Sequence, residues 1–147
     1  MLSELQSQAL YPVLQHYTGS KITFIYLEGE NLAFDTIDGE SGEVLENHEG
    51  NWDIVINGEV IENIERMVFE VLVNPDQKIT MDLYLIQLNE LVNRSKLKYR
   101  SKLLVRAIIK LLEDYILTSD FAPKIPIQIG PFIIGSHSGI RTFQCLN

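Results

Sequence analysis

"KITFIYLEGENLAFDTIDGESGEVLENHEGNWDIVINGEVI", residues 21–61, decides the fold. Short runs of β-branched and aromatic residues alternate with turn residues, the pattern of hairpin-connected strands. Ile22 to Leu27 predicts a first strand, "EGEN" a turn, and Leu32 to Ile37 a second strand. "DGESG" is a further turn, Val44 and Leu45 mark a short third strand, and Trp52 to Ile56 forms a fourth. Asn57-Gly58 is a tight-hairpin signal, because a two-residue turn whose twist matches its strands needs positive φ at both positions. It leads into a fifth run at Glu59 to Ile61. The stretch predicts an antiparallel meander with one face toward water.

Beyond it the period changes. In "IENIERMVFEVLVNP", Ile61, Ile64, Val68, Val71 and Leu72 fall on one helical face, and Asn74-Pro75 ends the helix. The rival is a hairpin pairing 66–73 with 78–86 across "NPDQ", since "KITMDLYLI" also alternates. We take the helix. Thr80 can cap a second helix through Asn93, with Met81, Leu85, Leu88 and Leu91 stacked along it. Unbroken to Leu117, it would be about 55 Å long at the usual rise. That is too long for a domain of this size, whose radius of gyration is near ~15 Å. The chain should therefore break at Asn93 to Ser95, with another helix from about Lys96 to Leu117.

Toward the N-terminus, Ser3 with Gln6 makes a capping-box pattern, and Leu2, Leu5, Ala9 and Val13 have helical spacing. Pro12 should kink or restart this helix, and Gly19 should end it. The C-terminal "APKIPIQIGPFIIGSHSGIRTFQCL" holds too much Pro and Gly for a helix. It alternates like two or three short strands that join the meander's sheet or cover its edge. The fold expected is α+β: an N-terminal helix, an antiparallel β-meander, a helical layer packed on one face, and a C-terminal β segment. Residues 1–147 are read as a single domain, the prior for this length.

The chain is acidic, with a formal net charge of −8, yet the charge is uneven. Residues 1–93 carry 17 acids and 3 bases; residues 94–147 carry 3 acids and 9 bases. Seven of the 12 Lys and Arg residues lie in "RSKLKYRSKLLVRAIIK", 94–110. On a helix, Leu97, Leu104, Ile108, Leu111 and Tyr115 share a sector about 60° wide, the core seam. From Leu103 onward the helix is apolar nearly all round, so this half is expected to be the most buried helical segment. Lys110 can pair with Glu113 or Asp114 one turn away. Arg94, Lys96, Lys98, Arg100 and Lys102 crowd the start of the helix, where cations oppose the macrodipole at about a few tenths of a kcal/mol each. Some negative charge should offset them: the chain's own acidic half, a second copy, or an anionic protein partner.

Nucleic acid is disfavoured as that partner. The acids elsewhere would repel a duplex, and only Tyr99 is interleaved with the bases, a poor stacking platform. No zinc-finger or RNA-recognition signature is present, and the apolar second half of the basic helix is unsuited to a groove.

Signals for chemistry are sparse. The single cysteine, Cys145, allows no intramolecular disulfide and no cysteine zinc cluster. His16, His48 and His137 lack metal-ligand spacing, so no metal and no cofactor is expected. "SHSG" sets His137 beside Ser136 in a Gly-containing loop, which is either a simple turn or part of a ligand pocket. The acids of "DTIDGESGE" do not fit a calcium loop and read as a solvated hairpin tip. Trp52 is either core packing or an anchor for a partner. There is no phosphate loop, dinucleotide fingerprint or nucleophile elbow. "MLSELQSQAL" lacks the basic start of a secretory signal, and no apolar run is long enough to span a membrane. The expectation is a cytoplasmic, non-catalytic protein that binds another protein, adaptor-like in character. Arg94, Lys96, Lys98, Arg100, Lys102 and Trp52 are its candidate contacts, and a homodimer would join opposite charges. The first alternative is a small enzyme or ligand-binding protein with a pocket between sheet and helices, using Ser136 and His137. The second is a nucleic-acid accessory protein using the basic helix.

Overall fold

The computed structural model describes residues 4–94, 96–117, 127–137 and 140–145. Five strands pair antiparallel in chain order: β1 (Ile22–Glu28), β2 (Asn31–Thr36), β3 (Ser41–Glu46), β4 (Trp52–Ile56) and β5 (Glu59–Ile64). The expected hairpin turn is present, with φ of 54° at Asn57 and 79° at Gly58. Before the meander stands α1 (Glu4–Thr18); after it come α2 (Arg66–Leu72), α3 (Met81–Val92) and α4 (Tyr99–Leu117). The chain then forms β6 (Ile127–Ile129), β7 (Phe132–His137) and β8 (Ile140–Cys145). The fold class is α+β, as expected.

The helical layer lies on one face of the meander because alternation puts the apolar set there. Leu32, Phe34, Val44, Ile54, Ile56 and Ile64 are buried and join one cluster with Val68, Phe69, Leu88, Leu104 and Leu112 from the helices. α1 runs through Pro12 to Thr18, and Gly19, at φ 74°, returns its N–H to the Gln15 carbonyl at 3.0 Å. That is the left-handed helix stop. Thr80 caps α3 by accepting the Leu83 N–H at 3.3 Å. Ser3 lies outside the described residues.

Several expectations are corrected. The helix after the meander starts at Arg66, so Ile61 and Ile64 belong to β5, not to a helical face. A register shift at Ile54/Val55 lets β5 continue until Ile64 pairs with Trp52, and this pairing holds the extended backbone. The hairpin rival for 66–86 is excluded by α2 and α3. The helix expected from Lys96 begins at Tyr99. The outer side of α4 is not apolar cover: Leu103 and Ile116 are exposed.

The C-terminal strands form a separate sheet, in the order β6-β7-β8, and do not join the meander. At β1, the first edge strand, the N–H groups of Ile22 and Ile25 donate to Gln15 Oε1 (3.2 Å) and Tyr11 Oη (3.1 Å) of α1. At β5, the last, Lys98 Nζ donates to the Asn63 carbonyl. These side chains occupy part of each edge where a further strand would pair. The small sheet packs instead through Phe132, edge-on to Tyr84 with centroids 5.4 Å apart. Tyr84 is fully buried and donates its hydroxyl to the Val71 carbonyl at 2.9 Å.

Gly42 faces Phe34 across β2 and β3. A Cβ there would run into the Phe34 ring and come 2.6 Å from the Val55 carbonyl oxygen. Both neighbours are held by the sheet. Gly42→Ala is therefore expected to lower stability by about 1–3 kcal/mol, the cost of overpacking. Urea unfolding checks this, and a variant as stable as the parent would show that the strands can part to admit a methyl group.

Candidate functional site

The start of α4 meets the junction of β5 and α2, and here the cationic segment finds its counter-charge. Glu62 sits near the end of β5 on the helix-facing side, opposite Ile54. Its carboxylate takes Lys98 Nζ at 2.6 Å and Arg100 Nη1 at 3.1 Å. Glu65 flanks α2, yet its side chain caps α4 and makes no cap bond to α2. One oxygen accepts the Lys98 backbone N–H at 3.0 Å and the other accepts the Ser101 hydroxyl at 2.5 Å. A carboxylate at a helix N-terminus is favoured by the unsatisfied N–H groups and the macrodipole. The acids thus offset the cations that the dipole disfavours.

The cluster extends inward. The Ser101 proton is committed to Glu65, so its lone pair accepts the Tyr17 hydroxyl of α1, with the two oxygens 2.5 Å apart. Both residues are buried, and Lys98 Nζ lies 5.5 Å from the centre of the Tyr17 ring. His16 Nε2–H donates to the Arg100 carbonyl at 2.9 Å. Burial, above all, pushes the Tyr17 phenol far above its usual range; Glu65 and Glu62 add to this against the opposing Ser101 bond. The tyrosine stays neutral and serves as a donor. Burial would raise the Glu62 carboxyl, but the Lys98 bond, the Asn63 N–H and the charges of Lys98 and Arg100 hold it below its ordinary value. Ser101 is fully shielded from solvent. The arrangement clasps α1, β5, α2 and α4 together.

The candidate contact residues separate accordingly. Lys98 and Arg100 belong to the clasp. Arg94 and Lys96 are exposed, Lys102 is half-buried, and none forms an ion pair with a described residue. Lys110 approaches Asp114 at 4.0 Å. Trp52 is half-buried and stacks on Phe69, with ring centroids 4.1 Å apart and planes at 12°, so its ring is turned to the helices. Ser136 and His137 lie at the end of β7, where their backbones pair with Arg141 and Ile140. Their side chains, and Ser138-Gly139 beyond them, fall outside the description. Sequence reasoning missed Tyr17, Glu62, Glu65 and Ser101. The available signal was the pair of acids three residues apart, directly before the "RMVFEVL" helix.

A second feature is the outer face of the meander. Cross-strand register places Phe24, Tyr26, Glu28, Asp35, Glu43, Asp53, Val55 and Val60 there. Phe24 is 65% exposed and Val60 58%. Between Lys21 and Arg66 the chain has twelve acids and no Lys or Arg, so this face carries only negative formal charge. Asp35 accepts from Tyr26 Oη (3.1 Å) and Ser41 Oγ (2.8 Å), and Asp53 accepts from Asn47 and Asn63. The bond to Asp35, with the nearby charges of Asp35 and Glu28, raises the Tyr26 phenol. A shallow concavity of about 220 Å³ lies between Tyr26, Glu28, Glu43 and the Asn57-Gly58 turn. Among the described residues no group of three His, Cys, Asp or Glu side chains could hold a metal ion, and no helix is long and apolar enough to cross a membrane. Comparison with protein-family models, curated proteins and solved structures gives no match to this chain.

Two predictions follow from the clasp. Glu62 has a lowered folded-state pKa, so its contribution to stability is present above about pH 4.5, near the unfolded value, and is lost as pH falls through the folded value. Glu62→Gln is therefore expected to be less stable than the parent at pH 7, with the gap narrowing toward pH 3. Urea titrations at several pH values measure this; a gap independent of pH would show that Glu62 acts through packing alone. Ser101→Ala leaves a buried phenol and a carboxylate oxygen short of a partner and should cost about 1–3 kcal/mol. In a double-mutant cycle with Tyr17→Phe the two losses should be clearly non-additive; simple additivity would mean that the hydroxyls are energetically independent.

Proposed function

We propose that this protein acts without catalysis of its own, by binding another protein, and that the outer face of the meander takes a basic partner. The observation that carries this reading is the face itself. Exposed Phe24, Tyr26 and Val60 sit among Glu28, Asp35, Glu43 and Asp53, with no Lys or Arg on any of the five strands. An apolar patch rimmed by one sign of charge suits a surface of opposite sign: the aromatics supply contact area and the acids steer approach and set register. The rigid backing supports the same reading. The clasp and the core cluster hold the sheet from behind, so the face is presented ready-made. The adaptor-like character also accords with a cluster of polar side chains committed to holding elements together.

The test is retention of host proteins on the immobilised chain, read by mass spectrometry. Basic proteins should be retained, should elute as salt is raised, and should be lost from a Glu28→Lys/Glu43→Lys variant that unfolds in urea like the parent. Equal retention by parent and variant would sink the reading. So would a specifically retained small molecule with no accompanying protein, which would favour a ligand-binding protein instead.

A further inference from the structure

The molecule carries two unmatched surfaces of opposite sign. One is the outer sheet face. The other runs along α4. At the helical 100° per residue, Tyr99, Lys102, Leu103, Arg106 and Lys110, with one acid, Glu113, toward the far end, fall in a sector about 100° wide, centred opposite the buried Leu104, Val105, Ile108 and Leu112. Tyr99 is 70% exposed, and Leu103 and Arg106 are also exposed. Lys102 and Arg106 form no ion pair with a described residue, whereas Lys98 and Arg100, nearer the helix start, are consumed by the clasp. The stripe is therefore cationic and apolar together, as the sheet face is anionic and apolar together. Each is what the other lacks.

We infer that the α4 stripe docks on the outer sheet face of a second copy of this chain. The proposal rests on the reading of that face as a docking surface and adds its occupant in the absence of another partner. Tyr99 and Leu103 would lie against Phe24 and Tyr26 on β1, while Lys102 and Arg106 approach Glu28 and Glu43. The occupant is argued from charge: the five meander strands have no cation of their own to cover the face, and Lys102 and Arg106 on this helix side form no ion pair with a described residue. The two patches differ, so a single contact is head-to-tail, and each copy keeps one free patch of each kind unless the rotation closes. Self-association then shields the sheet face, and a basic partner competes with the helix for it.

Sedimentation velocity on the full chain tests this. At low salt the parent should associate in a concentration-dependent way. Raising ionic strength from about 0.01 M to about 1 M shortens the Debye length from about 30 Å to about 3 Å and should return it to monomer. Lys102→Glu/Arg106→Glu should be monomeric, as should Glu28→Lys/Glu43→Lys, each with urea stability like the parent. Mixed, the two variants should associate again, because the first retains the sheet face, the second retains the stripe, and their two reversed patches are once more opposite in sign; a mixture that stays monomeric overturns the proposal. A parent that is monomeric at low salt overturns the proposal, as does association that survives the helix reversal or 1 M-range salt. The binding reading is judged separately. The helix-reversed variant keeps an intact sheet face, so it should still capture basic proteins even where self-association fails; if the sheet-reversed variant captures them equally, the reading beneath the proposal falls.

Discussion

The structure depends on two carboxylates placed at the start of one helix. Glu62 and Glu65 leave the end of the meander and reach α4, where Lys98, Arg100, Ser101 and the Lys98 backbone N–H meet them. Without them, cations would face the positive end of a helix dipole with nothing to offset either. With them, the same cations draw the helix onto the sheet, and Tyr17 brings α1 into the arrangement through Ser101. Each group in the chain of bonds has its proton or lone pair assigned, and no buried side-chain polar atom among the described residues lacks a partner. A fully satisfied polar cluster gives one arrangement of four elements; a half-satisfied one would cost more than apolar packing in its place.

The same elements that build the clasp protect the sheet. An open five-stranded meander has two edges, each a row of groups able to pair with another chain. α1 covers the first with side-chain partners for Ile22 and Ile25, and Lys98 covers the end of the second. The last three strands are thereby left to one another and form their own sheet. It is fastened by aromatic contact: Tyr84 stands against Phe132 and leaves room at Gly130 for backbone only. Gly130 has φ 52°, so the tight turn and the close approach both call for glycine there.

Charge is divided by purpose. Acids on the inner side of β5 and at its end are paired and structural. Those on the outer side of the sheet either hold neighbouring hydroxyls and amides, as Asp35 and Asp53 do, or stand free beside exposed aromatics, as Glu28 and Glu43 do. Cations divide similarly at α4: Lys98 and Arg100 at its start meet the clasp, while Lys102 and Arg106 further along form no ion pair with a described residue. One helix therefore serves the interior with one set of cations and presents a surface with another.

The sequence alone determined the alternation of the meander, the Asn57-Gly58 turn, the Thr80 cap, the break before the basic helix and the α+β class. These are local: each follows from a turn conformation, a cap or a period that a few neighbouring residues set. The uneven charge also implied that acids would answer the cations. Which acids, and which of the cations, only the tertiary structure decided. Glu62 and Lys98 are far apart along the chain, and their meeting depends on where α2 and α3 return the polypeptide. The extension of β5 to Ile64, the delayed start of α4, the turning of Trp52 onto Phe69 and the separate C-terminal sheet have the same origin. In each case a cross-strand pair, a distant carboxylate or an aromatic contact outweighed a local preference worth less than the contact that replaced it.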